Sequence, residues 1–166
     1  MQTILVPIDF SGVSRLVIDQ AIELARIVPA EIILINVVQQ PLAITDFEPI
    51  VGESLRYTAE VERSARRHLK RLVPTMLKRG VQVDTVCEQG SPVPLIISQA
   101  KKRGVRYIAL GSHGHTARYD LVIGSTASGV IKRASCPVMV VPALTKTKSK
   151  VRLRPVRKST RAARKP

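Results

Sequence analysis

Glu31-Ile-Ile-Leu-Ile-Asn-Val-Val38 has no polar residue after its first position except Asn36. A strand with one wet face alternates apolar and polar residues, whereas this run has no polar side and must be covered on both. Such strands belong to parallel sheets, whose crossover helices lie on both faces. Toward the N-terminus, Thr3 to Ile8 is a second apolar strand. Ser11, a suitable N-cap, then opens a helix whose Val17, Ala21, Leu24, Ala25 and Val28 form one apolar stripe. Toward the C-terminus, a connection with Pro41 and Pro49, readable as a mobile lid, leads into a helix from Leu55 to Arg79. Its Ala65, Leu69, Leu72 and Met76 face inward, while Arg63, Arg66, Arg67, Lys70 and Arg71 make a solvated basic face able to add to an anion-binding patch. Pro74 is expected to kink or interrupt that helix. Gly80 ends it, and Val81 to Glu88 forms the next strand. Ser91-Pro92 pairs an N-cap with proline at the first helical position, and that helix closes near Arg103 with Gly104 as its cap. Val105 to Leu110 is the fourth strand, a helix starts at Ser125, and Pro137 to Val141 is the fifth strand. Five strands alternating with four helices predict an α/β fold, an open five-stranded parallel sheet with helices on both faces. Ligands of such sheets sit beyond the carboxyl ends of the strands, where strand order reverses.

At one of those ends stands Leu110-Gly-Ser-His-Gly-His115, followed at a distance by Gly124-Ser125-Thr126. The second group opens a helical apolar pattern of Ala127, Val130, Ile131 and Ala134, so Gly124 and Ser125 mark a helix N-terminus with hydroxyls available as caps. Free N–H groups and the positive end of the dipole make such a terminus an anion site, and glycine lets a phosphate approach the backbone. The spacing matches neither the G-x-x-x-x-G-K-[ST] loop nor G-x-G-x-x-G, and two ordinary loop turns would also account for the glycines.

Gly111-Ser-His-Gly114, nine residues, then Gly124-Ser125 resembles the nucleotide-binding motif of the universal stress protein family. The resemblance also takes in Ile4-Leu-Val-Pro-Ile-Asp9-Phe-Ser11, Gly90-Ser-Pro92 and Cys136-Pro-Val-Met-Val-Val141, and so spans residues 1–142. It implies a Rossmann-like sheet of the adenine nucleotide alpha hydrolase type, in strand order 3-2-1-4-5. It also implies ATP with Mg2+ as ligand. Adenine would lie near Pro7, Ile8, Asp9 and Val37. The phosphates would lie against Gly111, Ser112, His113, Gly114, His115, Gly124, Ser125, Thr126 and Ala127. Where such relatives can carry a hydroxyl two residues after the motif serine, this chain has Ala127. The family's strand order puts Pro137 to Val141 at a sheet edge, where it invites a homodimer.

No catalytic residue and no metal ligand is assigned. Asp9 is the one carboxylate placed at the site, short of what phosphoryl transfer requires. His113 and His115 are able to stabilise phosphate charge, to act as acid and base, or simply to contact phosphate. Ser125 is able to accept a phosphoryl group or to cap its helix. The leading reading is an ATP-binding regulatory module of the stress response. The alternatives are a nucleic-acid-associated protein and a slow or self-phosphorylating ATPase.

The 166 residues, 45% apolar with mean hydropathy +0.08, suffice for one domain and a real core. The longest apolar runs fall short of the roughly 18 to 20 residues that span a membrane. The start, Met-Gln-Thr-Ile-Leu-Val, has no basic n-region, and the expected place is the cytoplasm. Cys87 and Cys136 are read as thiols buried in strands, with no C-x-x-C spacing and no zinc cluster. Residues 145–166 hold ten of the 27 Lys and Arg and no acid, leaving +5 of the net +15 elsewhere. Residues 143–166 thus read as a disordered basic tail, either a nonspecific holder of nucleic acid or a solvated appendage.

Overall fold

In the computed structural model, which describes residues 1–39, 48–113 and 123–143 and only the backbone path of residues 48–55, strands and helices alternate throughout. The elements are β1 (Gln2–Pro7), α1 (Gly12–Ile27), β2 (Ala30–Val38), α2 (Glu48–Lys78), β3 (Val83–Gln89), α3 (Pro92–Lys102), β4 (Tyr107–Gly111), α4 (Ser125–Arg133) and β5 (Val138–Val141). The five strands form one sheet in the order β3-β2-β1-β4-β5, every pairing parallel. Both the fold class and the strand order agree with the expectation.

The period-2 geometry of the strands divides the core in two. Ile4, Val6, Ile32, Leu34 and Ala109 face α1 and α2, meeting Val17, Ala21, Ile22, Leu69 and Met76. Leu5, Ile33, Ile35, Ile108 and Leu110 face α3 and α4, meeting Ile96, Ala100, Ala127 and Val130. Nearly all of these are removed from water, at about 1.5 to 3 kcal/mol for each Val, Leu or Ile. Successive strands step from β1 to β2 to β3, and then the chain returns past β1 to lay down β4 and β5. The reversal falls between β1 and β4, so a crevice opens between the loops leaving them.

Several boundaries differ from the sequence reading. α2 begins at Glu48, so Pro49 lies in its first turn, where a missing N–H breaks no helical bond. The connection is correspondingly shorter, and the expected lid around Pro41 lies outside the described residues. Pro74 lies within α2 without ending it. Val81 and Val105, expected in strands, are buried in the turns leading into β3 and β4, and Gly80 and Gly104 take the positive φ values of 81° and 58°. Cys136 stands in the bend before β5 rather than in the strand, half-buried, while Cys87 is buried in β3; both are free thiols. Ile131 is 42% exposed, because α4 turns only Ala127 and Val130 fully inward. Among the described residues no helix is long and apolar enough to cross a membrane.

Candidate functional site

The crevice holds a cavity of about 410 Å³, within the usual range of roughly 300 to 1,000 Å³ for small-molecule sites. It is lined by Pro7, Ile8 and Asp9 from the exit of β1, Val37 from β2, Gly111, Ser112 and His113 from the exit of β4, and Gly124, Ser125, Thr126 and Ala127 from the start of α4. Every expected site residue that the structure describes therefore lies around one space. Gly114 and His115 fall outside the described residues.

Chain direction at the β1 exit is set by Phe10, whose φ of 62° is the one positive value at a non-glycine among the described residues. Such a conformation costs about 1 to 3 kcal/mol and persists where the surroundings over-determine it. Here the Phe10 ring packs on the α1/α2 core and meets His68 edge to face at 5.2 Å. The bend leaves Asp9 at the cavity with its carboxylate directed to the start of α1. Asp9 Oδ1 accepts the Ser11 N–H at 3.0 Å and the Ser14 hydroxyl at 2.9 Å, and Ser14 Oγ lies 3.3 Å from the Asp9 N–H it accepts. Ser11 occupies the N-cap position but makes no side-chain cap, contrary to expectation; the Ser14 N–H bonds the Ser11 carbonyl at 3.0 Å instead. The Ser11 Oγ is buried without a protein partner and belongs to the cavity wall.

Beneath the floor, Asn36 donates from Nδ2 to the Ile8 carbonyl at 2.9 Å, and the Ile8 N–H bonds the Ile35 carbonyl at 2.9 Å. The single buried polar residue of β2 thus fixes where β1 releases the chain.

Ser112 organises the opposite wall. Its N–H bonds the Val141 carbonyl at 2.8 Å, its carbonyl accepts the Gly124 N–H at 2.8 Å, and its hydroxyl accepts the Ala143 N–H at 3.2 Å and lies 3.0 Å from His113 Nδ1. The two halves of the glycine motif are thereby clasped together. Gly111 and Gly124 also have packing reasons. A β-carbon on Gly111 would stand 2.8 Å from Val13 Cγ1 on α1, and one on Gly124 would stand 3.2 Å from the Ser112 carbonyl oxygen.

α4 has no side-chain cap at Gly124, so the expected hydroxyl capping does not occur. The Gly124 N–H is taken by Ser112, and Ser128 is the next residue to donate within the helix. The N–H groups of Ser125, Thr126 and Ala127 are the unfilled donors of the first turn, at the positive end of the dipole and on the cavity wall. Ala127 serves through its backbone, which needs no side-chain hydroxyl. Among the described lining residues Asp9 carries the one formal charge, so attraction for an anion comes from backbone donors rather than from Lys or Arg.

The sequence reading missed part of the lining: Ser11, Val13, Ser14, Val17, Ile35, Gln39, Pro92, Ile96 and Leu110. Ser14 was legible in principle, since a hydroxyl in the first turn of a helix stands next to a carboxylate just outside it. The apolar members give no separate signal, because a cavity wall and a core have the same composition. No group of three or more His, Cys, Asp or Glu fit to hold a metal occurs among the described residues.

A sequence model described as the universal stress protein family matches residues 1–142. Universal stress protein MJ0531 of Methanocaldococcus jannaschii is 32% identical over 143 residues, which cover 83% of this chain and 80% of that protein. Among solved structures, universal stress protein UspA from Lactobacillus plantarum superposes with a TM-score of 0.76 at 22% identity, over 84% of this chain and 97% of its own. The universal stress protein from Archaeoglobus fulgidus in complex with dAMP superposes with a TM-score of 0.59 at 21% identity, over 84% and 97% of the two chains.

Proposed function

The chain belongs to the universal stress protein family, and from that premise we propose that it is an ATP-binding regulatory module whose nucleotide occupancy changes its affinity for a partner. The observation that carries the reading is the unfilled first turn of α4, three backbone donors opposite the β1 exit across a cavity of about 410 Å³. A phosphate chain satisfies those donors. The base would lie against Pro7, Ile8 and Val37, and the buried Ser11 hydroxyl gains a partner from a polar ligand. The dAMP complex of the Archaeoglobus fulgidus relative supports an adenine nucleotide as the class of ligand.

Mg2+ fits this donor set as an ion brought by the phosphates, since it is usually held by one or two carboxylates together with phosphate oxygens and water. Asp9 is the residue placed to hold it, and bound there the ion would neutralise phosphate charge. In this reading Asp9 is chiefly a positioning group, engaged with Ser11 and Ser14, which favours retention of the nucleotide over its rapid turnover.

A homodimer through β5 belongs to the same proposal. Val138, Met139 and Val140 are half-buried, and β5 is an edge strand with one side unpaired among the described residues.

Calorimetric titration with Mg-ATP tests the assignment. One site per chain is expected in the parent and little or no heat in Gly114→Val, which removes the second glycine of the motif. Absence of heat in the parent, or equal affinity in both proteins, overturns it.

A further inference from the structure

We propose that the outer face of α2 is a docking surface for the phosphate backbone of duplex nucleic acid. Between Arg56 and Arg79 the helix and its end carry eight Lys or Arg against two Glu. At about 100° per residue, Arg56, Arg63, Arg67, Lys70, Arg71 and Lys78 fall within a sector of roughly 100°, with Glu60 the one acid among them. All six are exposed. None takes part in an ion pair among the described residues, where the pairs use Arg26, Arg66, Arg79 and Arg103. From Arg56 to Lys78 the stripe is about 33 Å long, close to one turn of B-form duplex at roughly 34 Å.

The chemistry of the stripe selects the occupant. A helix lying on a membrane gives its apolar face to lipid, whereas the apolar face of α2, with Ala65, Leu69 and Met76, is buried against the sheet. Readers of single strands interleave cations with stacking aromatics, and no residue of the stripe is aromatic. Cations alone over the length of a helical turn suit a regular array of phosphates, read without regard to sequence. The surface lies on the β2/β3 side of the sheet, away from β5, and is separate from the nucleotide cavity. It therefore stands or falls independently of the ATP reading and of the tail.

The test is fluorescence anisotropy with a labelled random-sequence duplex of 30 base pairs, titrated by the full chain across a range of salt. The quadruple variant R63Q/R67Q/K70Q/R71Q should bind about tenfold more weakly or worse near 100 mM salt. Its log–log salt slope should be shallower by up to roughly 3.6, because each of the four lost phosphate contacts removes about 0.9. R63K/R67K/R71K should keep the parent slope, which a merely structural effect would not predict. Should the quadruple variant be unfolded by circular dichroism, Arg67→Gln alone is read, with an expected loss of about 0.9. An unchanged slope in a folded glutamine variant would place any binding in the tail and refute the proposal. So would failure of the full chain to bind the duplex, or tighter binding to phosphatidylserine vesicles.

Discussion

At Gly111 a β-carbon would stand 2.8 Å from Val13 Cγ1 and 3.1 Å from the His113 carbonyl oxygen, so the residue is dictated as much by contact of β4 with α1 as by a ligand. Overpacking of this kind costs about 1 to 3 kcal/mol. Gly111→Ala should lower stability by that amount in urea unfolding. Gly111→Ala/Val13→Ala, which removes the clashing methyl groups, should recover part of the loss. Equal stability of parent and single variant would show that α1 yields freely. The thiols make a second case. Burial is the largest cause raising both Cys87 and Cys136 above the ordinary value of 9.0, against a smaller opposing pull from Arg66 on Cys87 and from Arg106 on Cys136. Thiolate is the reactive form, so alkylation by iodoacetamide at pH 8 should be slower in the native protein than in guanidinium. A raised folded pKa means that the native state holds its proton more tightly. The corresponding stability is complete well below pH 9 and is lost as pH rises through the raised native values. Native rates equal to denatured ones would contradict the burial.

Among the elements, β5 stands at the sheet edge, as the sequence reading expects. It pairs with β4 from Ile108↔Val138 to Gly111↔Val141 on one side and presents its other side unpaired among the described residues. Val140→Lys should leave far-ultraviolet circular dichroism unchanged and shift sedimentation at micromolar concentration from dimer toward monomer. A parent that sediments as a monomer removes the dimer from the proposal. α2 teaches the complementary lesson. Its inward stripe of Ala65, Leu69 and Met76 was readable from helical periodicity, but its start at Glu48 was not, because Pro49 reads as a breaker in sequence and is harmless in a first turn. The same holds for Pro74, which lies within α2 on an exposed position and does not end the helix. Packing of the inner face outweighs the missing hydrogen bond.

For the whole molecule, ligand binding and folding are linked, since a ligand that binds only the native state stabilises it by about 2.7 kcal/mol at one hundred times its Kd. Mg-ATP should therefore raise Tm in proportion to the logarithm of its concentration. Deletion of residues 145–166 should leave that rise intact, because the described cavity wall lies wholly upstream of the deletion. A truncated chain that no longer responds to ATP would show that the tail takes part in the site.

The sequence by itself determined the α/β class, the number and order of elements and the two glycine groups. These rest on local rules: unbroken apolar runs in Ile4 to Val6 and Ile32 to Ile35, period 3.6 in the helices, and glycine at the helix ends Gly80 and Gly104, where φ is positive. It also placed Asp9 and Gly111 at strand ends, which is where the cavity lies. What only the tertiary structure decided are relations between residues far apart in the chain. Asn36 holds the Ile8 carbonyl, Ser112 clasps Gly124 and Val141, and Val13 demands glycine at 111. Each depends on distances fixed when the sheet assembles, and hydrogen-bond partners and close approaches over tens of residues leave no periodic trace in a single sequence.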